Sequence, residues 1–275
     1  KFAPRIDGEF APKHFEDLAK EAPKIPIMLG THTHEFGFFN FWNRSPSIHQ
    51  AYLEEGAQRF FGRKVFEKFV RFLTRDFFTP EEHESAVIDI TNFYVGPPKG
   101  EEKTTMPDYD RLEREAPFHL ERYCHLWSDI YFTIPARKRA MDARARGSQV
   151  FLYLFEHYSK ELFDKDDKVK GSFHVNELPY ITGKQLKPFN WTEAELKVQR
   201  DMRAAMISFV KEGKPSIAGV AWPPFSGKTH SGPNGTPFVM VKSTKWQGFE
   251  GFYDKQADFW ENGMSRYSFD LITMR

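Results

Sequence analysis

The stretch Gln149–Tyr158 reads Q-V-F-L-Y-L-F-E-H-Y. A strand with one wet face would place a polar residue at every second position, and none occurs from Val150 to Phe155. The aromatic and branched content favours a strand over a short helix. Such a strand suits a sheet covered on both faces. Together with the strand–helix alternation along the rest of the chain, it favours an α/β fold.

The rest of the pattern is consistent with that frame. Ile25-Pro26-Ile27-Met28-Leu29-Gly30 is a second short apolar run closed by glycine, and predicts a strand near Pro26–Gly30. Helices are expected over His14–Ala22, over Gln50–Phe77, from Thr79 onward, and over Tyr109–Ala145 with a break at Pro135. In the second of these, Phe60, Phe61, Val65, Phe66, Phe69, Val70 and Leu73 share a face. Thr79 and Glu82 form a capping-box pattern around Pro80, and Thr192 and Glu195 repeat it at the head of a helix that Gly213 should end. A last helix is expected over Asp254–Asn262. Residues 1–13, 95–108, 160–172 and 218–244 read as loop, and no repeat or low-complexity tract is present.

Composition narrows the function classes. The 39 Lys and Arg nearly cancel the 38 Asp and Glu, so an electrostatic attraction to nucleic acid or anionic membrane is not expected. The chain has 29 Phe, ample for a large core. One cysteine, Cys124, excludes an internal disulfide framework and a cysteine-rich zinc site; a buried free thiol is the expected state. No apolar run approaches the roughly 18–20 residues that span a bilayer. The opening Lys1-Phe2-Ala3-Pro4 lacks both an initiator Met and an apolar leader, and reads as the product of a cut or of an engineered start.

Several residues suggest chemistry. His32 and His34 form an H-x-H after the first strand, which on a barrel would begin a metal site. That reading needs more histidines at later strand ends, and there are too few strands for a barrel. No metal and no cofactor are therefore expected. Arg137, Lys138, Arg139, Arg144 and Arg146 read as a solvated helix face, because no aromatic residues are interleaved for base stacking. Glu35 follows the first strand, and His174 follows the second after a loop. In an α/β-hydrolase, nucleophile, acid and histidine come in that order on loops after strands. Glu35 and His174 fit the last two places.

Longer segments extend the pattern. Pro4-Arg5-Ile6-Asp7-Gly8 resembles the P-x-x-D-G segment of the type-B carboxylesterase/cholinesterase family. Ile27–Gly30 with His34-Glu35 is similar to its strand and acid turn, and Ser128–Pro135 to its D-x-x-F-x-x-P helix. Phe151–His157 resembles the strand before its catalytic loop. His174-Val175-Asn176-Glu177-Leu178-Pro179-Tyr180 resembles its H-x-x-E-L-P-Y/F motif, and Trp222–Phe225 and Ala257–Trp260 match its closing segments. These segments follow the family's order along nearly the whole chain.

The resemblance implies that residues 1–275 are the C-terminal half of an α/β-hydrolase domain, with a mostly parallel sheet flanked by helices. His174 would be the catalytic histidine and Glu35 its acid, although Phe36 stands between Glu35 and the expected glycine. Phe38 and Phe39 would line the substrate gorge. Asn176 stands where cholinesterases carry a choline-site aromatic, so a choline pocket is not expected. Glu177 would be the buried carboxylate near the triad, with a structural role at least as well supported as a catalytic one. The nucleophile motif G-x-S-x-G is absent from this sequence. The resemblance therefore implies an N-terminal partner of roughly 250 residues, separate or cleaved, supplying the serine for a small-molecule ester substrate. The alternative is a catalytically inactive adhesion or scaffold protein of the same fold. The family is usually secretory, and Asn190-Trp191-Thr192 is a glycosylation acceptor. Asn43-Arg44-Ser45 and Asn234-Gly235-Thr236 are weaker acceptors, each followed by Pro. The expected location is outside the cell or in the secretory lumen.

Overall fold

The computed structural model describes residues 5–42, 51–98, 108–185, 187–225 and 235–273. Four strands form one sheet in the order β1 (Ile27–His32), β2 (Val150–Phe155), β3 (Pro237–Val241) and β4 (Gln247–Glu250). The first three run parallel, with Ile27 beside Val150 and Tyr153 beside Val239, and β4 returns antiparallel to β3. The described helices are α1 (Phe15–Glu21), α2 (Glu55–Gln58), α3 (Arg63–Thr74), α4 (Pro80–Val95), α5 (Tyr109–Ser128), α6 (Ile134–Ala145), α7 (Leu178–Thr182), α8 (Glu193–Glu212) and α9 (Asp254–Ala257).

Every residue of β2 is buried. Its side chains alternate between two cores, as the period of two requires. Val150, Leu152 and Leu154 pack in one cluster with Ala140 and Ala143 of α6 and with Phe238 and Phe252. Phe151, Tyr153 and Phe155 belong to the other, with Val198, Met202 and Ala205 of α8. Each such side chain contributes on the order of 1.5–3 kcal/mol by leaving water. By contrast, Ile27–Gly30 of β1 are only half-buried, and β1 pairs on one edge only among the described residues.

Four expectations need correction. The segment 218–244 is not all loop, because it contains β3. The helix expected over Gln50–Phe77 is two pieces, α2 and α3: Gly62, in extended backbone, heads the second, and Gln50 lies outside the described residues. The five-residue basic cluster is not uniformly solvated. Arg137 is 1% exposed, its Nη2 bonding Asp254 Oδ1 at 3.0 Å. The long helical stretch is interrupted by a wide π-turn, Asp129–Thr133, so the irregularity precedes Pro135 rather than falling on it. The ring of Pro135 then sits in the first turn of α6, where no N–H is needed. Both capping boxes form, and Gly213 closes α8 at φ 73°.

Candidate active site

Two loops leave the same end of the sheet, one from β1 and one returning after β2. They zip together: Phe173 pairs in parallel with His34, the His34 N–H donates to the Ser172 carbonyl at 3.0 Å, and the His174 N–H donates to the Glu35 carbonyl at 3.2 Å. This pairing sets Glu35 beside His174, although 139 positions separate them in sequence.

The Glu35 carboxylate is 5% exposed. Its Oε2 faces Nδ1 of His174 at 2.9 Å, and its Oε1 accepts from the His32 N–H at 2.8 Å and faces His32 Nδ1 at 3.1 Å. On the far side of the His32 ring, Nε2 lies 2.8 Å from Oε2 of Glu177. The four side chains thus form a row, His174–Glu35–His32–Glu177. Burial works against charge on His32, but Glu35 and Glu177 on either side outweigh it and raise its pKa to about 9. Burial likewise opposes ionisation of Glu35, yet His32 and the hydrogen bond from His174 hold its pKa down to about 2. Glu177, despite its burial, is lowered by the same imidazolium. His32 thus serves as the counter-ion of the acid, a role the H-x-H spacing did not suggest. Its partner Glu177 lies 145 positions away.

The residue inserted after Glu35 has a place of its own. Phe36 is 2% exposed and stacks on Trp127 at 5.3 Å, and its N–H donates to Ser128 Oγ at 2.9 Å. The acid turn is thereby fastened to the end of α5. Gly37 follows because a Cβ there would fall 2.3 Å from the Phe173 ring.

The histidine is framed by aromatics. Phe132 and Phe39 lie 4.8 and 5.6 Å from the His174 ring, and 35% of the His174 side chain faces solvent. Phe38 is not one of the two rings packed on it. Phe38 and Asn176 instead line a neighbouring pocket of about 120 Å³ with Trp42, Val175, Pro179 and Phe189. Asn176 is buried, and its Nδ2 has no hydrogen-bond partner among the described residues. Val175, between His174 and Asn176, has φ 68°, a conformation that costs a β-branched residue on the order of 1–3 kcal/mol. The turn is held by bonds from Asn176 N–H to the Phe173 carbonyl and from Leu178 N–H to the Val175 carbonyl, both 3.1 Å.

A model of the carboxylesterase family matches residues 1–260. The chain belongs to the carboxylesterase family. Its sheet with flanking helices is part of the α/β-hydrolase fold of that family. Gut esterase 1 of Caenorhabditis briggsae is 28% identical over 287 aligned residues, covering 99% of this chain and 46% of that protein. The Caenorhabditis elegans protein of the same name is also 28% identical, with 99% and 47% covered. The para-nitrobenzyl esterase of Bacillus subtilis is 27% identical over 169 residues, 57% of this chain and 31% of that protein. The chain spans about half the length of the nematode relatives.

Membership makes sense of the remaining motif residues. Asp129 is buried, accepts from Thr133 Oγ1 at 2.5 Å and from the Tyr94 hydroxyl at 2.7 Å, and burial pushes its pKa up to about 7. The same hydroxyl accepts from Trp260 Nε1 at 3.0 Å. The D-x-x-F-x-x-P and closing segments therefore meet at Tyr94. Trp222 Nε1 donates to the Leu152 carbonyl at 3.0 Å, joining the W-P-P-F segment to β2. Asp7 Oδ1 accepts from the Glu9 and Ala11 amides, while Pro4 of that segment lies outside the described residues. Cys124 is a buried free thiol whose pKa burial pushes up. Asn190 is exposed and its Nδ2 donates to both Glu161 oxygens at 3.1 Å. Asn43 and Asn234 lie outside the described residues. No described helix is long and apolar enough to cross a membrane.

Proposed function

We propose that this chain is the C-terminal half of a serine carboxylic-ester hydrolase domain and carries its acid, Glu35, and its histidine, His174. One observation carries the reading: the contact of 2.9 Å between a buried carboxylate and Nδ1 of a part-exposed imidazole. A carboxylate on Nδ1 fixes the tautomer with its proton there. Nε2 is then the ring's remaining lone pair, free to take a proton. Glu35, held ionised, stabilises the imidazolium that results.

The nucleophile comes from an N-terminal half, as a separate or cleaved chain or as the preceding part of one polypeptide. Among the described residues β1 pairs on one edge only, which supports this, since a half-buried parallel strand calls for a second neighbour. In the assembled domain a serine of that half attacks the ester carbonyl. His174 accepts its proton and returns it to the leaving alkoxide, and backbone N–H groups of the partner half hold the oxyanion. Phe39 positions the imidazole, and the pocket of Phe38 and Asn176 takes one arm of the ester, with the spare Asn176 Nδ2 donating to a substrate oxygen. Glu177 acts through His32 and not on substrate. The N-x-T acceptor at the exposed Asn190 supports a location in the secretory lumen or outside the cell, with a glycan on that residue. An inactive scaffold would have no use for an acid held ionised by a second imidazole against a part-exposed histidine.

The test is ester turnover by the full-length protein. His174→Ala should lower kcat by several orders of magnitude with intact folding, on the precedent of other triads. An unchanged rate removes His174 from the mechanism.

A further inference from the structure

A second cluster lies behind the acid turn. His34 points away from Glu35's partners, towards α5. There Glu121 and His125 stand four positions apart, on one face of the helix. One ligand atom from each of His34, Glu121 and His125 lies within 4.8 Å of the other two. His34 Nε2 is 3.4 Å from Glu121 Oε1, and the His34 and His125 rings lie 4.9 Å apart.

We propose that His34, Glu121 and His125 bind a divalent transition-metal ion of the zinc class. Two imidazoles and one carboxylate are a donor set that zinc takes, leaving a fourth position for water. Zinc bonds of about 2.0–2.1 Å in tetrahedral geometry place neighbouring donors about 3.4 Å apart, the separation already present between His34 and Glu121. The His34 ring is oriented for this. Its Nδ1 lies 3.0 Å from Thr33 Oγ1, leaving Nε2 to the ion, as outer hydrogen bonds do at metal sites. The ring also packs where a Cβ on residue 171 would come within 2.3 Å of Nδ1, so Gly171 makes room for it.

An ordinary ion pair between His34 and Glu121 leaves His125 unexplained. Arg122 opposes the ion: its Nη1 lies 3.4 Å from His125 Nδ1. A bound ion would tie α5 to the turn carrying Glu35, which Ser128 of the same helix also grips. Two of the three donors lie within α5 and not at a strand end, which puts them outside the H-x-H pattern.

The experiment titrates Zn²⁺ alone into untagged, chelator-stripped full-length protein by calorimetry. The expected result is one saturable ion for each copy of this chain. Loss of an outer-shell partner alone costs 10–100-fold in affinity, so Glu121→Gln and His125→Ala should each weaken binding by about 100-fold or more. Arg122→Gln should tighten it, a gain that structural damage would not produce. Glu121 is part-exposed, so its variant retains the fold if His125→Ala does not. No saturable binding, or binding of equal strength in wild type and Glu121→Gln, overturns the proposal. Neither outcome bears on the ester-hydrolase reading, whose test is His174→Ala.

Discussion

Replacing His32 by Gln keeps a hydrogen-bond donor near Glu35 but removes the charge between two buried carboxylates. In the folded chain the His32 pKa rises from 6.5 to about 9. At about 1.4 kcal/mol per pH unit this amounts to about 3 kcal/mol of stability. The lowered pKa of Glu35 describes the same ion pair from its other partner, so the two are not summed. A raised folded pKa means that the stabilisation is complete below the unfolded value of 6.5, provided the carboxylates remain ionised, and disappears as the pH passes about 9. Wild type and His32→Gln should therefore differ by about 3 kcal/mol at mildly acidic pH and converge above pH 9. Urea denaturation of the full-length protein, followed at several pH values, measures the gap. A gap of constant size across that range would refute the assignment of His32 as the charged partner of Glu35.

Two further outcomes follow from buried or modified groups. Arg137→Met leaves Asp254 buried without its cation and should cost about 3–5 kcal/mol in urea denaturation; adding Asp254→Asn should recover part of that loss. Asn190 should carry a glycan in protein from its native source, read as a mass increment on the peptide containing it, and an unmodified Asn190 would contradict the secretory placement.

How legible each feature was depends on where its cause lies. β2 was legible because burial on both faces demands a continuous apolar run, a demand visible in six adjacent residues. β4, an outer strand whose residues are mostly exposed, carries no such pattern, and β3 is short and begins at Pro237 after a glycine- and serine-bearing stretch. Glu35 and His174 were legible as a pair through their order on strand-following loops and through the family's motif, and the backbone zip between His34 and Phe173 supplies the physical reason that such distant residues meet. The functions of His32 and Arg137 were not legible. Arg137 is decided by Asp254, more than a hundred positions away, and His32 by Glu177 at a similar distance together with the nearby Glu35, whose contact with the His32 ring depends on how the turn folds. Phe36 looked like a departure from the acid turn, and its reason lies in the aromatic cluster formed by α5 and the π-turn. The positive φ of Val175 is likewise imposed by the pairing around it rather than by the preference of valine.

The central claim is that Glu35 and His174 activate a serine supplied from outside this chain. A fluorophosphonate probe reports that directly, since it reacts only with a hydroxyl whose proton has a base to accept it. Mapped by mass spectrometry on the full-length protein, the account predicts one labelled serine, located outside these 275 residues, with labelling lost in His174→Ala. A labelled serine within this chain, or labelling that persists undiminished in His174→Ala, would contradict it.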